Sequence, residues 1–533
     1  MPVTIVRMEL RSALVSFLFV WAALPAAQTG PVVRVTGGQI RGRSTPDGGA
    51  AFKGIPYARP PLGELRWREP QRVAAWTGVR DAGAFSVACT QLSEGWNIRY
   101  VASSAEDCLY LNVAVPAWPP AAKLPVMVWI HGGSNTAGSG EAAGFDQRTL
   151  VRRGLVLVTI NYRLGALGFL AHPALARESA HHTSGNYGLM DQIAALAWVR
   201  ENIATFGGDP HKVTAAGQSA GAMDVSLLMT SPLARGLFRR AIAESGAVAI
   251  FKGSRTRGEA ETLGLKMAAE LKAADGDALA RLRQVPAVEI LEAAKRSSGG
   301  DRTGLETSVD GWVLPKPPAA VFAAGGSVAA PLMIGSTAQE IGGNESPAKV
   351  RSAIQEAYGG LAERALKLYG LSGGGEGTAD PLYGGPGVQW PTDVVFRCPV
   401  IAEAVADAAA GRVVYQYGFD HAAPDRHENH GMGHSAELSF VFGTWAGDVQ
   451  LAPIDKKISE LMQAYWANFV RTGDPNGEGL PRWPALAVKE REYLAFTGDG
   501  AVVKAGLRRE FCEVFMAHSK LVAGHDAVAQ QRP

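Results

Sequence analysis

Val213-Thr-Ala-Ala-Gly-Gln-Ser-Ala-Gly221 reads as a short strand of β-branched and small residues running into Gly-x-Ser-x-Gly, with a helix-capable segment, Ala222 to Leu228, behind it. A strand that turns directly into a helix puts Ser219 on a strained elbow at the sheet's edge. Gly217 and Gly221 then leave the room that close helix–strand packing needs. The N–H of Ala220 points at whatever the serine attacks. In a chain with 63 glycines the five-residue pattern arises by chance often enough that its surroundings must decide.

Those surroundings are strands of the buried kind. Leu124-Pro-Val-Met-Val-Trp-Ile130 and Gly154-Leu-Val-Leu-Val-Thr-Ile-Asn161 are almost uninterrupted apolar runs, as expected of strands covered on both faces in a mostly parallel sheet. The first ends in His131-Gly-Gly-Ser134, where missing side chains let backbone amides face a ligand. Asp191 to Phe206 carries Ile193, Leu196, Val199 and Ile203 at helical spacing and stops at Gly207-Gly208. Strand, helix, strand and helix, with the serine at a strand's C-terminal edge, predict a doubly wound α/β sheet whose ligand sits outside the strand ends.

Upstream, Val32 to Arg43 has the alternation and glycines of a hairpin, and Glu106 to Val113 leads toward another strand. Downstream, Arg240 to Glu244, Pro331 to Gly335 and Val413 to Phe419 read as further strands. Glu259 to Ala274 and Asp277 to Ala294 read as helices, and glycine-rich linkers such as Gly373-Gly-Gly375 follow them. The helix Ile458 to Thr472 and a last strand at Glu492 to Phe496 close the chain. The expected organisation is one catalytic domain, residues 28–533, with helical cap insertions around 250–330 and 341–412.

Composition narrows the class. The 533 residues are 47% hydrophobic and 19% charged, enough to bury a sizeable core. Lys and Arg number 52 against 50 Asp and Glu, so nothing electrostatic points to nucleic acid or an acidic membrane. Arg7 and Arg11 precede the apolar run Ala13 to Leu24, and small residues follow. That is the order of a secretory signal over residues 1–27, with cleavage near Ala26 or Ala27, and the run is shorter than the roughly 20 residues of a spanning helix. Export to a periplasmic or extracellular space, with no membrane span left after cleavage, is the expectation. There the four cysteines, Cys89, Cys108, Cys398 and Cys512, form two disulfides in one of three pairings. The Cys89–Cys108 segment contains Trp96 and Tyr100, which either line a cleft or anchor the core.

In several separate stretches the chain resembles the type-B carboxylesterase family, which includes the cholinesterases and has the α/β-hydrolase fold. They are Gly54-Ile-Pro-Tyr-Ala58, Glu106-Asp-Cys-Leu-Tyr-Leu-Asn112, Asn161-Tyr-Arg163, Gly185-Asn-Tyr-Gly-Leu189, Phe206-Gly-Gly-Asp-Pro210, the elbow, and Arg471-Thr-Gly-Asp-Pro-Asn476. The resemblance runs from about Val32 to Phe515. It implies a serine hydrolase that cleaves a small-molecule carboxylic ester through an acyl-enzyme, without cofactor or metal.

Such chemistry needs a base for the serine, an acid to orient the base, and donors for an oxyanion. The family's acid stretch matches Gly335-Ser-Thr-Ala-Gln-Glu340 and its histidine stretch Gly433-His-Ser-Ala-Glu-Leu-Ser-Phe-Val-Phe442, which implies Ser219, Glu340 and His434. It also implies oxyanion donors at the backbone N–H groups of Gly133, Ser134 and Ala220, and the sequential pairing Cys89–Cys108 and Cys398–Cys512. Two departures stand out. Ser134 occupies a position where the family usually has a third glycine, and Gln218 one where cholinesterases carry Glu; losing that charge favours neutral esters over choline esters.

Glu345 and Asp310 are rival acids. His421, His427 and His430 are rival bases, and His427-x-x-His-x-x-x-His434 is a metal pattern that no paired cysteine or acidic ligand motif accompanies. A non-catalytic binding protein of the cholinesterase type is the alternative from another class. An amidase or lactonase would use the same triad.

Overall fold

The computed structural model describes residues 1, 30–120, 123–141, 145–146, 148–248, 255–273, 277–299, 307–343, 345–425 and 431–529, with side chains to residue 519. The rest of the expected signal segment lies outside the described residues. One sheet of eleven strands forms the centre. From edge to edge it runs Gly500–Ala505, Glu492–Thr497, Val414–Phe419, Leu332–Thr337, Arg240–Glu244, Gly208–Gln218, Leu124–Ile130, Val156–Ile160, Tyr110–Val115, Ala50–Pro56 and Arg43–Ser44. The seven strands from Glu492–Thr497 to Val156–Ile160 are parallel to their neighbours. The strands outside them pair antiparallel. The hairpin Val32–Val35 and Gly38–Arg41 joins Val79–Asp81 in a separate small sheet.

Because side chains alternate along a strand, each apolar run feeds two cores. Val126, Val128 and Ile130 face one, with Leu196 and Val199 of the helix Tyr187–Asn202 and Val225 and Leu228 of the helix Ala220–Thr230. Met127 and Trp129 face the other, with Met462, Trp466 and Phe469 of the helix Pro453–Thr472. Each such aliphatic side chain contributes roughly 1.5–3 kcal/mol by leaving water, which is why these runs form the middle of the sheet. The helix Cys398–Ala409, between Leu332–Thr337 and Val414–Phe419 in the chain, puts Val400 and Ala404 into the first core. Cys89 is bonded to Cys108 and Cys398 to Cys512. No helix among the described residues is long and apolar enough to cross a membrane.

Several elements differ from the sequence reading. The strand entering the elbow starts at Gly208, which pairs with Leu124; Asp209 to Lys212, which carry no strand signal of their own, lie in the irregularity before Val213 pairs with Val126. The segment Asp277 to Ala294 is two helices, Ala278–Gln284 and Ala287–Ser297. Pro286, which has no N–H to donate and forces Val285 into extended backbone, separates them. Glu492–Thr497 is not the last element: the turn at Gly498-Asp-Gly500 returns the chain as the edge strand Gly500–Ala505, and the helix Arg509–Ala529 follows.

Strand register sets which side chains meet at the sheet's C-terminal edge. Gln218, Glu244, Gly335 and Tyr417 stand side by side across four parallel strands. Ser219 and Ser245 therefore emerge together, and the turn carrying Glu340 leaves the same edge two strands from Ser219.

Candidate active site

Ser219 sits between strand and helix with φ 57° and ψ −126°, a conformation that costs about 1–3 kcal/mol and persists only where its neighbours enforce it. Its N–H donates to the Glu244 carbonyl at 2.8 Å. The glycines answer to packing: a Cβ on Gly217 would lie 2.5 Å from the Gly221 backbone, and one on Gly221 would lie 2.1 Å from the Ile130 carbonyl oxygen. Ala220, in the helix's first turn, has no intrahelical acceptor for its N–H.

His434 lies on the segment between Val414–Phe419 and the short helix Leu438–Phe442, further from its strand end than Glu340 is from its own. Its Nδ1 is 2.6 Å from Glu340 Oε2, its Nε2 is 3.2 Å from Gln218 Nε2, and Phe396 packs on the ring at 4.6 Å between centroids. An amide nitrogen can only donate, so Nε2 accepts and the ring proton resides on Nδ1, facing Glu340. Glu340 is buried. Burial alone would raise its carboxyl, but His434, the Ser245 hydroxyl and the Thr337 N–H together hold it below the ordinary range.

The segment after Leu124–Ile130 carries three successive left-handed residues, Gly133, Ser134 and Asn135, with φ 108°, 55° and 54°. The Gly133 carbonyl accepts from the N–H groups of Thr136 and Ala137. The N–H groups of Gly133 and Ser134 donate to no acceptor among the described residues. Asn135 is the anchor: its Nδ2 donates to Asp224 Oδ1 at 3.0 Å and its Oδ1 accepts from the Tyr162 hydroxyl at 2.9 Å. Gln192 donates to the other Asp224 oxygen at 2.5 Å. Burial lifts the Asp224 carboxyl to about 7 against these hydrogen bonds, and it takes the His131 imidazole down to about 4, so His131 is neutral. From the Cys89–Cys108 segment Trp96, 56% exposed, puts its ring 3.3 Å from where a Cβ on Gly133 would be, whereas Tyr100 is buried. Of the two aromatics, Trp96 is exposed beside Gly133 and Tyr100 is buried.

Residues 29–360 and 387–515 match the carboxylesterase family. The chain belongs to that family. The para-nitrobenzyl esterase of Bacillus subtilis (strain 168) is 35% identical over 492 residues, covering 88% of this chain and 96% of the relative. Liver carboxylesterase 1F of Rattus norvegicus is 35% identical over 515 residues, covering 87% and 90%. Among solved structures a PNB esterase superposes with a TM-score of 0.77 at 33% identity, covering 91% of this chain and 100% of the other. This carboxylesterase is a carboxylic ester hydrolase on the α/β-hydrolase fold.

Behind Glu340 the carboxylesterase buries two more acids that the sequence reading did not single out, Glu244 and Glu437. Trp466 Nε1 donates to Glu244 Oε1 at 2.7 Å, and the Ser245 hydroxyl lies 3.5 Å from Glu437 Oε1. Burial raises both carboxyls above the ordinary range; for Glu437 the neighbouring charges of Glu244 and Glu340 push the same way. The two therefore hold their protons more tightly than Glu340, which His434 keeps as an anion. Glu437 stood inside the matched histidine stretch and Ser245 directly after a strand, but only the register places them behind the imidazole.

The rivals have other occupations. Glu345 pairs with Lys349 at the surface, Asp310 accepts from the N–H groups of Trp312 and Leu314 in a turn, and His421 pairs with Asp455 at 2.7 Å. His427 and His430 lie outside the described residues. No group of three His, Cys, Asp or Glu side chains among the described residues is placed to hold a metal ion.

Proposed function

We propose that this carboxylesterase works through Ser219, His434 and Glu340. As Ser219 Oγ bonds to the ester carbonyl carbon, its proton passes to His434 Nε2. The tetrahedral oxyanion is held by the N–H groups of Gly133, Ser134 and Ala220, each worth roughly 3 kcal/mol in the transition state. The imidazolium then protonates the leaving alkoxide, and water repeats the sequence on the acyl-enzyme. Glu340 keeps the proton on Nδ1 and stabilises the imidazolium.

What supports the reading is the single imidazole that meets Glu340 on one nitrogen and, on the other, the residue adjoining the elbow serine. Gln218 Nε2 lies beside the nitrogen that takes the serine's proton. Relatives named for para-nitrobenzyl esters and for liver carboxylesterase activity make small neutral aryl and alkyl esters the first substrates to try. We read residues 28–533 as one exported catalytic domain that follows a cleaved signal, in keeping with its two disulfides.

The test is pre-steady-state hydrolysis of p-nitrophenyl esters of graded acyl length beside the matching anilides. A burst of p-nitrophenol equal to the enzyme concentration, with anilides turned over far more slowly, is the expected result. Linear release with no burst at any chain length, or faster turnover of anilides, contradicts it.

A further inference from the structure

The Cys89–Cys108 segment is fastened to residues 131–140 through one side-chain amide. Gln91 Nε2 donates to the Gly138 carbonyl at 2.9 Å while its Oε1 accepts the Gly138 N–H at 2.9 Å, a two-way pairing of the kind a neighbouring strand makes. The second Nε2 hydrogen goes to the Cys89 carbonyl at 3.0 Å, and the second Oε1 lone pair takes Asn97 Nδ2 at 2.9 Å. All four hydrogen-bonding positions of the amide are thus used. Asn97 continues the chain of bonds, donating to the Leu92 carbonyl at 2.8 Å and accepting the Glu94 N–H at 2.7 Å. Gln91 is 1% exposed and Asn97 is fully buried.

Both ends of this relay bear on the donors. Gly138 has φ 120° and is packed so tightly that a Cβ there would lie 2.2 Å from His131 Nδ1 and 2.6 Å from the Gly132 carbonyl oxygen. A shift of Gly138 is therefore transmitted to the residues just before Gly133. At the other end Asn97 fixes its neighbour Trp96, whose ring lies over Gly133. The relay brackets the left-handed residues Gly133 and Ser134, whose conformation needs support from outside the segment.

We infer that Gln91 is a positioning residue for ester hydrolysis: its amide clamps Gly138 and, through Asn97 and Trp96, sets the direction of the Gly133 and Ser134 N–H groups. The inference rests on reading those groups as oxyanion donors. A misplacement of order 1 Å in such donors costs about a hundredfold in rate, so a role in positioning predicts a loss in kcat rather than in KM.

The test compares Gln91→Glu, which keeps the shape and the acceptor but loses the N–H donated to Gly138, with wild type and Ser219→Ala. The readouts are kcat and KM on a p-nitrophenyl ester and the inhibition constant of an aryl trifluoromethyl ketone, which adds a serine to form an oxyanion. Gln91→Glu is expected to lower kcat about tenfold to a hundredfold with KM within about twofold, and to weaken the ketone by the same factor. Should that variant not fold, Asn97→Ala breaks the outer link and is read the same way, with a loss of about fivefold or more expected. Ketone binding and kcat within about twofold of wild type in the folded variant, with Ser219→Ala inactive, overturn the inference and leave the serine reading intact. An active Ser219→Ala overturns the serine reading itself.

Discussion

Gln218 Nε2 lies 3.2 Å from His434 Nε2, so a neutral amide stands at the nitrogen that accepts the serine's proton in the mechanism we propose. A carboxylate at this position would sit beside the imidazolium and stabilise it. Gln218→Glu is expected to raise the pKa of the acidic limb of kcat/KM by about one unit or more. The other groups around the ring, Glu340 and Glu437, are unchanged by the substitution. Wild type is expected to prefer a neutral ester over a choline ester of the same shape, 3,3-dimethylbutyl acetate over acetylcholine, and Gln218→Glu to narrow or reverse that ratio. A wild-type preference for acetylcholine refutes this role for Gln218.

The two glutamates on either side of Ser245 are shifted in opposite directions, Glu340 down and Glu437 up, and isosteric amides separate them. Glu340→Gln removes an anion that orients His434 and is expected to lower kcat by ~10³–10⁴. Glu437→Gln replaces a group already holding its proton and is expected to leave kcat within about fivefold at pH 7. Equal losses in the two variants would mean that Glu437 is ionised.

Buried acids make stability fall toward alkaline pH. Burial lifts Glu403 to about 8, against hydrogen bonds from Ser226 Oγ and the Val248 N–H, and lifts Asp224 to about 7. Their folded-state values lie above the unfolded ones, so the folded protein binds more protons. The stability they contribute is full below the unfolded carboxyl range near pH 4 and is lost as pH rises through about 7 to 8. Tm is expected to be lower at pH 9 than at pH 6, and Glu403→Gln to flatten the decline. A Tm that rises over this interval would refute it.

The disulfides differ in the length of chain they close. Cys398 and Cys512 are 114 residues apart, Cys89 and Cys108 only 19. Loop-closure entropy assigns them about 5 and about 3 kcal/mol. Replacing Cys398 and Cys512 together by alanine is expected to lower the urea midpoint more than replacing Cys89 and Cys108. The opposite order would show that local packing outweighs chain entropy.

What the sequence disclosed depends on which interactions are local. The centre of the sheet was legible because Leu124–Ile130 and Val156–Ile160 are buried on both faces and composed accordingly. The elbow was legible because its glycines answer to contacts only a few residues away. Gln91, Asn135 and Asp224 were not, because a buried amide or acid has no pattern of its own: Asn135 meets Asp224 across 89 residues. The edge strand Gly500–Ala505 was missed because Val502 and Val503, on opposite faces, are both exposed, so no alternation marks it. Ser134 in place of glycine was visible at once, but its left-handed backbone was not.

The nucleophile is tested most directly by quenching the enzyme with acid during turnover of a p-nitrophenyl ester and mapping the acyl group by peptide mass spectrometry. One acyl group per chain is expected, on Ser219, and none in Ser219→Ala, whose kcat falls by ~10⁴ or more. An acyl group on another residue, or Ser219→Ala hydrolysing the ester at a rate near that of wild type, would contradict the assignment of Ser219.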